Sequence, residues 1–165
     1  MQNKPTLTTA AMHPTTDSGP SCSLTTTVST GTASSPDGLV PDYGGGEATK
    51  AVDGNENTYW DQVDNEAGPH ILQLAEPAAF AGYSFTAYNA NSFAPKTWTL
   101  TCDGVEVDAQ TDYNYGSGTS FSVCLNAAHT CSIAQLRISA WYGDSPAIRE
   151  LKLHPPTAGT PTAGT

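Results

Sequence analysis

The sequence predicts an all-β domain built as an antiparallel sandwich of two sheets. In a series of short segments, apolar and polar residues alternate with a period of two, as they do in strands that bury one face. Loops rich in Gly, Asn and Pro separate these segments, and no segment of useful length shows the wider spacing of an amphipathic helix. The predicted strands cover residues 71–74, 82–88, 97–101, 120–125, 133–138 and 148–153.

Two local signals add detail to this prediction. Asp103 and Gly104 form a turn pair typical of hairpins, so residues 97–102 are expected to pair with residues 105–107. Residues 47–51 are expected to form one helical turn ahead of a tight loop. Strands at this spacing, separated by short polar loops, imply a sandwich.

The composition indicates a single domain of the secreted kind. A chain of 165 residues is long enough to bury one core of its own. Only 13% of the residues are charged while Gly, Pro, Ser and Thr abound, a balance more typical of secreted modules than of cytosolic enzymes. With 16 acidic against 6 basic residues the net charge is −10, which argues against nucleic acid or an anionic membrane as the main partner. No apolar stretch approaches the roughly 18 residues that span a bilayer.

Four cysteines, an even number, predict two disulfides and an oxidising compartment, either extracellular or at the cell surface. Spacing does not select the partners, so three pairings are open. A zinc site is the alternative, but no two cysteines have the CxxC spacing and His129 is the only imidazole nearby. The disulfide prediction covers Cys22, Cys102, Cys124 and Cys131.

Both ends of the chain differ in composition from the part between them. Residues 1–21 are rich in Thr, Pro, Ser and Asn, cannot bury enough apolar area to offset their ordering entropy, and are expected to form a flexible lead. Residues 22–154 form the predicted sandwich domain. Residues 155–165 contain a repeated Pro-Thr-Ala-Gly-Thr unit, which suggests a linker or an O-glycosylated stalk, with a plain solvated spacer as the alternative. Since the first residues lack the apolar core of a signal peptide, we interpret the chain as a fragment.

Residues 48–60 combine turn formers, oxygen donors and a large aromatic side chain. The Asp-Gly-Asn sequence at 53–55 favours a tight turn, because Gly takes a positive φ freely and Asx side chains bond their own backbone. Asp53, Asn55 and Thr58 offer the hard oxygens that Ca²⁺ prefers, together with nearby carbonyls. The segment therefore predicts a calcium site. The alternative is a turn whose Asp and Thr side chains bond only backbone amides.

Loops at one end of the predicted sandwich carry aromatic and amide side chains. Exposed aromatics can stack on the apolar face of a pyranose, while amides and carboxylates bind its hydroxyls. Residues 112–115 form a further loop of the same composition. Trp60 and Trp98 are interpreted as core residues, and His70 as a packing residue. The predicted ligand-binding residues are Tyr43, Asn89, Asn91, Phe93, Trp141 and Tyr142.

Four motifs follow one another along residues 23–154. They are Ala51-Val-Asp-Gly-Asn-Glu-Asn-Thr-Tyr-Trp60, Pro69-His-Ile-Leu-Gln-Leu-Ala-Glu-Pro77, Ala94-Pro-Lys-Thr-Trp-Thr-Leu-Thr-Cys-Asp-Gly104 and Pro146-Ala-Ile-Arg-Glu-Leu-Lys-Leu153. Their order resembles that of discoidin-type domains, the group that includes coagulation-factor C domains and family 32 carbohydrate-binding modules. Gln73, Ala75 and Cys102 depart from the family pattern, which has Asp, Gly and Ser there.

The resemblance implies a jelly roll of the galactose-binding-like type. It also implies a structural Ca²⁺ held by backbone oxygens of the loop, by Asp and Thr side chains and by a Glu of the last strand. The matching positions are the carbonyl of Lys50 together with Asp53, Asn55, Thr58 and Glu150. In sugar-binding members variable loop residues, often His, Arg, Asn and an aromatic, contact the sugar, but no Arg lies in the candidate loops of this chain.

These observations lead to a principal hypothesis and two alternatives. The first is a non-catalytic, extracellular carbohydrate-binding module with a structural calcium ion and a glycan or glycoprotein as partner, since neither a GxSxG nor an HExxH motif occurs. The second is a structural or adhesive subunit of an extracellular filament, wall or matrix, which self-associates and carries O-glycans on its ends. Phospholipid binding, as in coagulation-factor C domains, ranks last because the chain has 6 basic residues and a net charge of −10.

Overall fold

A computed structural model describes residues 22–38 and 46–164 of the chain. Within these ranges nine strands form two sheets, and one turn of 3₁₀ helix lies at Ala48–Ala51. No helix in them is both long enough and apolar enough to cross a membrane. The strands are β1 (Thr32–Ser34), β2 (Trp60–Asp61), β3 (His70–Ala75), β4 (Phe80–Ala87), β5 (Pro95–Cys102), β6 (Val105–Gln110), β7 (Ser120–His129), β8 (Ile133–Trp141) and β9 (Ala147–His154).

The two sheets are antiparallel and pack face to face. One has five strands in the order β1-β3-β8-β5-β6, and the other has four in the order β2-β9-β4-β7. In β3 the residues His70, Leu72 and Leu74 are buried while those between them are half-exposed, so one face of the strand enters the core. The prediction of an all-β, jelly-roll sandwich is confirmed.

All six strands predicted from the alternating pattern are present, and each is longer than predicted. Asp103 and Gly104 join β5 to β6 with φ angles of 48° and 82°, as the predicted hairpin turn requires. The predicted helical turn is the 3₁₀ turn at Ala48–Ala51. Two strands, β1 and β2, were not predicted, because 3 and 2 residues are too few to show an alternation.

Aromatic rings form the centre of the core between the sheets. Trp60 and Trp98 are fully buried, which confirms their interpretation as core residues. The ring of Trp98 meets Phe85 and Phe121 edge-on, with centroids 5.2 and 4.9 Å apart. Its indole Nε1 donates a 2.8 Å hydrogen bond to the hydroxyl of Tyr83, so the one polar atom of this ring is satisfied in the core.

Two disulfides cross-link the sandwich and select one of the three pairings that the sequence left open. Cys22 is bonded to Cys124 of β7, and Cys102 at the end of β5 is bonded to Cys131, with Cα–Cα distances of 5.4 and 5.5 Å. The described residues contain no free cysteine. The first bridge ties the N-terminal segment to an edge strand, and the second ties the β5–β6 hairpin to the loop before β8.

The repeated C-terminal segment lies against the sandwich. The N–H of Ser23 donates to the carbonyl of Pro155 at 3.1 Å. Further along, Ala128 of β7 donates its N–H to the carbonyl of Pro161 at 2.7 Å and accepts the N–H of Ala163 at 2.8 Å. Residues 155–164 therefore follow the edge of the domain. The domain boundary at residue 154 and the O-glycosylation stay predictions, and the predicted lead, residues 1–21, lies outside the described residues.

Candidate functional site

The predicted ion loop is anchored at both ends. The 3₁₀ turn Ala48–Ala51 buries its first and last residues, and Trp60 at the far end donates a 2.9 Å hydrogen bond from Nε1 to Ser35 Oγ. Between these anchors Gly54 has a φ of 75°, which is strained for a residue with a Cβ. Glycine at this position lets the chain turn tightly at residues 53–55.

Side chains and amides of the loop converge on Asp53. Its Oδ1 accepts the N–H of Asn55 at 2.9 Å, and its Oδ2 accepts the hydroxyl of Thr58 at 2.7 Å. The same hydroxyl lies 2.9 Å from the carbonyl oxygen of Asn55. The hydrogen bond from Thr58 lowers the pKa of Asp53, so this carboxylate stays ionised at neutral pH.

Glu150 brings a second carboxylate to this loop from the last strand. Its place is fixed by the pairing of β9 with β4, where Glu150 lies opposite Thr86. The residue is 4% exposed, and its Oε1 accepts the N–H of Asn55 at 3.0 Å, the same N–H that reaches Asp53. Burial, and then the hydrogen bond with the neighbouring Asp53 carboxyl, raise the pKa of Glu150. Two carboxylates thus share one backbone amide.

The donor set of the loop fits a hard divalent cation. Carboxylates, a hydroxyl and a backbone carbonyl are the oxygen ligands that Ca²⁺ prefers. No cluster of three or more His, Cys, Asp or Glu side chains occurs in the described parts of the chain, so hydroxyl and carbonyl oxygens would have to complete the shell. Hydrogen bonds bring together four of the five predicted positions, Asp53, Asn55, Thr58 and Glu150, and the fifth, Lys50, lies in the 3₁₀ turn that precedes the loop. The role of all five as calcium ligands stays a prediction.

A cleft of about 210 Å³ opens next to the ion loop, and we call it the aromatic cleft. Its wall consists of Tyr59, Tyr88 and Phe93. The rings of Tyr59 and Tyr88 have centroids 4.5 Å apart at an angle of 54°, and Phe93 meets Tyr88 edge-on at 5.5 Å. The three rings are therefore in continuous contact. Ala147, Asp61 and Asp64 complete the lining.

The two carboxylates of the aromatic cleft differ in burial. Asp61 in β2 is 4% exposed, and its Oδ1 accepts the N–H of Gln62 and the hydroxyl of Ser145, both at 2.8 Å. The pairing of Asp61 with Ala147 of β9 fixes this buried carboxylate in the cleft. Asp64 is exposed in the loop that follows β2. One carboxylate is thus rigidly held and the other is accessible to a ligand.

A second cleft, of about 240 Å³, shares the loop of residues 88–93 with the first. Asn91 and Tyr142 line it, together with Asn114 and Tyr115 from the further loop that the sequence singled out. The hydroxyl of Tyr115 donates to the carbonyl of Pro95 at 2.7 Å, and burial raises the pKa of this phenol. This cleft therefore offers amides and phenol rings without a carboxylate.

The structure separates the predicted ligand-binding residues. Phe93 lines the aromatic cleft, whereas Asn91 and Tyr142 line the second cleft. Asn89 is exposed, and its Oδ1 accepts the N–H of Asn91 at 2.9 Å, so this side chain shapes the loop between the clefts. Tyr43 lies outside the described residues.

Trp141 has a packing position and lines neither cleft. Its ring meets the imidazole of His70 edge-on at 4.6 Å. His70 itself is fully buried, with Nδ1 3.2 Å from Oε1 of Gln62 and Nε2 3.2 Å from the carbonyl of Glu66, which agrees with its interpretation as a packing residue. Trp141 is thus half-buried against the core and His70.

Tyr59, Asp61 and Asp64 were not identified as site residues from the sequence. For Tyr59 and Asp61 the available signal was their position on either side of Trp60, since a residue next to a buried strand residue points to the other side. No such signal marks Asp64, which lies in the loop after β2. Arg149 was also missed, because it belongs to a strand and not to a loop. In the structure its guanidinium carbon lies 4.6 Å from the ring centroid of Tyr88, at the aromatic cleft.

Sequence comparison and structural comparison give different results for this chain. No protein-family model matches it, and a search of curated proteins found no match. Among solved structures, chitosan-binding module 1 from a chitosanase/glucanase of Paenibacillus sp. IK-5 is similar with a TM-score of 0.60 at 16% identity, over 76% of this chain and 96% of that chain.

Two further structures with bound sugars are similar over comparable lengths. The family 32 module of NanJ from Clostridium perfringens, in complex with galactose, gives a TM-score of 0.59 at 21% identity, over 74% of this chain and 92% of that chain. Chitosan-binding module 2 from the Paenibacillus enzyme, in complex with chitotriose, gives 0.56 at 17% identity, over 75% and 95%. These similarities show that the chain has the galactose-binding-like fold of the family 32 carbohydrate-binding modules.

Proposed function

We propose that this protein is a non-catalytic, extracellular carbohydrate-binding module with a structural calcium site. The observation that carries the proposal is the aromatic cleft, in which Tyr59, Tyr88 and Phe93 stand beside the carboxylates of Asp61 and Asp64. A pyranose has apolar C–H faces and polar hydroxyls. A concave site with aromatic walls and a few fixed polar groups matches both.

Proteins of the same fold support a binding role. One of them is bound to galactose and another to chitotriose, and the chitosan-binding modules derive from a larger enzyme. The two carboxylates that accept the same N–H, those of Asp53 and Glu150, belong to the ion loop and not to the cleft. A module that holds a glycan without reacting with it is the function that this arrangement favours.

The calcium site forms the second part of the proposal. Asp53, Thr58 and Glu150 would hold the ion together with the carbonyls of Lys50 and Asn55. When bound, the ion would supply positive charge between two carboxylates that otherwise repel each other. It would thereby fix residues 53–58, which lead directly into Tyr59 of the cleft. The role is structural, through coupling of binding to folding.

Calorimetric titration with galactose, glucosamine and mannose oligosaccharides, guided by a glycan array, tests the sugar site. We expect Tyr59→Ala to weaken binding about tenfold, because the lost stacking and burial are worth on the order of 1.4 kcal/mol. Val105→Ala is the control, since Val105 is 68% exposed at the start of β6, where it pairs with Cys102, and it does not line the cleft. Absence of sugar binding by the wild-type protein would exclude the proposal.

The extracellular location is supported by the two disulfides, which persist in oxidising compartments. The alternative of a self-associating structural or adhesive subunit with O-glycosylated ends stays a prediction. No specific contact of the described residues favours it over sugar binding.

A further inference from the structure

Ser84 of β4 lies on the outer face of the four-stranded sheet. Tyr83 and Phe85 on either side of it are buried among the core aromatics, so the side chain of Ser84 points away from the core. Ser84 is half-buried, and it lines neither the aromatic cleft nor the second cleft. A serine hydroxyl is thus partly accessible at a place that the proposed function does not use.

The hydroxyl of Ser84 is bonded to the imidazole of His154. Its Oγ lies 2.7 Å from Nε2 of the ring, and Nδ1 of the same ring lies 2.7 Å from the carbonyl oxygen of Thr26. A carbonyl oxygen can only accept a hydrogen bond, so Nδ1 carries the proton, and in the neutral ring Nε2 accepts from the hydroxyl. The carbonyl of Thr26 therefore fixes the tautomer in which the ring is a base toward Ser84.

The fold holds this imidazole in place and keeps water away from it. The pairing of β4 with β9 sets Gly82 opposite His154, and His154 is 2% exposed. A Cβ at Gly82 would clash with the sulfur of Cys22, so the N-terminal segment covers the sheet at this point. Ser84, two residues further along β4, is only half-buried, so the base is shielded while part of the serine stays accessible.

A serine that donates to an imidazole of fixed tautomer has the arrangement that activates a hydroxyl as a nucleophile. When Oγ attacks the carbonyl carbon of an ester, Nε2 takes the hydroxyl proton. The bond from the acyl carbon to the leaving oxygen then breaks, the proton passes from Nε2 to that oxygen, and the acyl group stays on Oγ. Lys152 lies opposite Ser84 in the register of β9, so its positive charge favours the negative oxygen that forms during the attack.

We propose that Ser84 is a site of covalent acylation, which takes a short acyl group from an activated ester with His154 as the base. The proposal goes beyond the proposed function, because neither Ser84 nor His154 lines a cleft. It concerns one acyl transfer onto the protein and no turnover, so it agrees with a non-catalytic module.

Ser122 offers a matched comparison within the same protein. It lies opposite Ser84 on β7, on the same face of the sheet, and it is exposed. The full chain is incubated with p-nitrophenyl acetate, and acetylated peptides are mapped by mass spectrometry over time. We expect Ser84 to be acetylated at least about tenfold faster than Ser122 despite its lower exposure, because a positioned base accelerates such a step about a hundredfold or more. Acetylation of Ser84 no faster than that of Ser122, or of neither serine, would overturn the proposal.

Two further measurements test the role of His154. His154→Gln keeps groups that form hydrogen bonds but cannot take the proton, so acetylation of Ser84 should fall to the rate of Ser122, with thermal unfolding as the check that the variant is folded. In the wild type, the ratio of the two rates should fall between about pH 8 and about pH 5, since a protonated imidazole cannot accept the serine proton. The ratio cancels effects that Lys152, Glu150 and Glu56 exert on both serines. A ratio that stays constant with pH would overturn the assignment of His154 as the base.

Discussion

The guanidinium group of Arg149 connects Tyr88 with the ion loop. Its carbon lies 4.6 Å from the ring centroid of Tyr88, and its Nη1 donates a 2.8 Å hydrogen bond to the carbonyl of Glu56. The next residue of β9, Glu150, accepts the N–H of Asn55 in the same loop at 3.0 Å. Two consecutive residues of one strand therefore hold the loop, and one of them also holds a wall of the aromatic cleft.

We expect Arg149→Met to weaken sugar binding about two- to fivefold. The variant keeps most of the side-chain length but loses the cation over Tyr88, a contact worth about 0.5–1 kcal/mol at exposed sites. It also leaves the carbonyl of Glu56 without this donor, so the melting temperature should fall slightly. Calorimetric titration and thermal unfolding measure the two effects.

Lys152→Met is the control for charge. Lys152 lies on the same strand and pairs with the carboxylate of Glu56 at 3.5 Å, but it does not contact Tyr88. An exposed pair of this kind contributes about 0–1 kcal/mol, so the sugar affinity should stay at the wild-type value. Equal weakening in both variants would mean that Arg149 acts through its charge and not through its contact with Tyr88.

Glu150→Gln should have opposite effects on the melting temperature with and without calcium. In chelator at neutral pH we expect the variant to melt at a higher temperature than the wild type, because burial and the Asp53 carboxyl raise the pKa of Glu150 and so disfavour its ionised form. In calcium the order should reverse, since the wild type keeps both carboxylates for the ion.

Differential scanning calorimetry in chelator and in calcium measures both states, with Asp53→Ala as a second variant. Asp53→Ala should lower the melting temperature and remove its dependence on calcium. If wild type and variants melt at the same temperature with and without calcium, residues 53–58 are an ordinary turn.

The strands could be predicted from the sequence wherever one face of a strand is buried along its length. β3, β4, β5, β7, β8 and β9 each have 6 residues or more, enough for the alternation to appear. β6 buries none of its residues and was predicted from the hairpin turn before it. β2 is different, because its two residues form a strand only through pairing with β9. Trp60 lies opposite Ile148 and Asp61 opposite Ala147. Pairing of that kind depends on a strand almost ninety positions away, which no local pattern contains.

The ion loop and the aromatic cleft differ in how far apart in the sequence their residues lie. Asp53, Asn55 and Thr58 lie within six positions, so their turn chemistry is visible in the sequence. The cleft takes its lining from residues 59–64, 88–93 and 147, which only the fold brings together. That Tyr59, Tyr88, Phe93 and Arg149 are neighbours therefore follows only from the pairing of β2 and β4 with β9.

His129 should make the protein less stable at mildly acidic pH. Burial lowers the pKa of this imidazole below its ordinary value of about 6.5, so as the pH falls the unfolded chain takes up the proton first. The free energy of unfolding therefore keeps its full contribution from the neutral imidazole above about pH 6.5, and this contribution is lost as the pH falls below that value. We expect His129→Gln to lose less stability than the wild type between about pH 7 and 5 in urea unfolding. Parallel curves for the two proteins would contradict this assignment.

The disulfide between Cys22 and Cys124 should contribute more stability than the one between Cys102 and Cys131. The first closes a loop with a sequence separation of 102, and the second a loop with a separation of 29. Loop-closure entropy then assigns them about 4.7 and about 3.6 kcal/mol, so paired Cys→Ser variants should differ by about 1 kcal/mol in free energy of unfolding. Denaturant unfolding of each double variant measures this difference. A larger loss on removing the Cys102–Cys131 bridge would show that the hairpin it holds, and not chain entropy, determines the contribution.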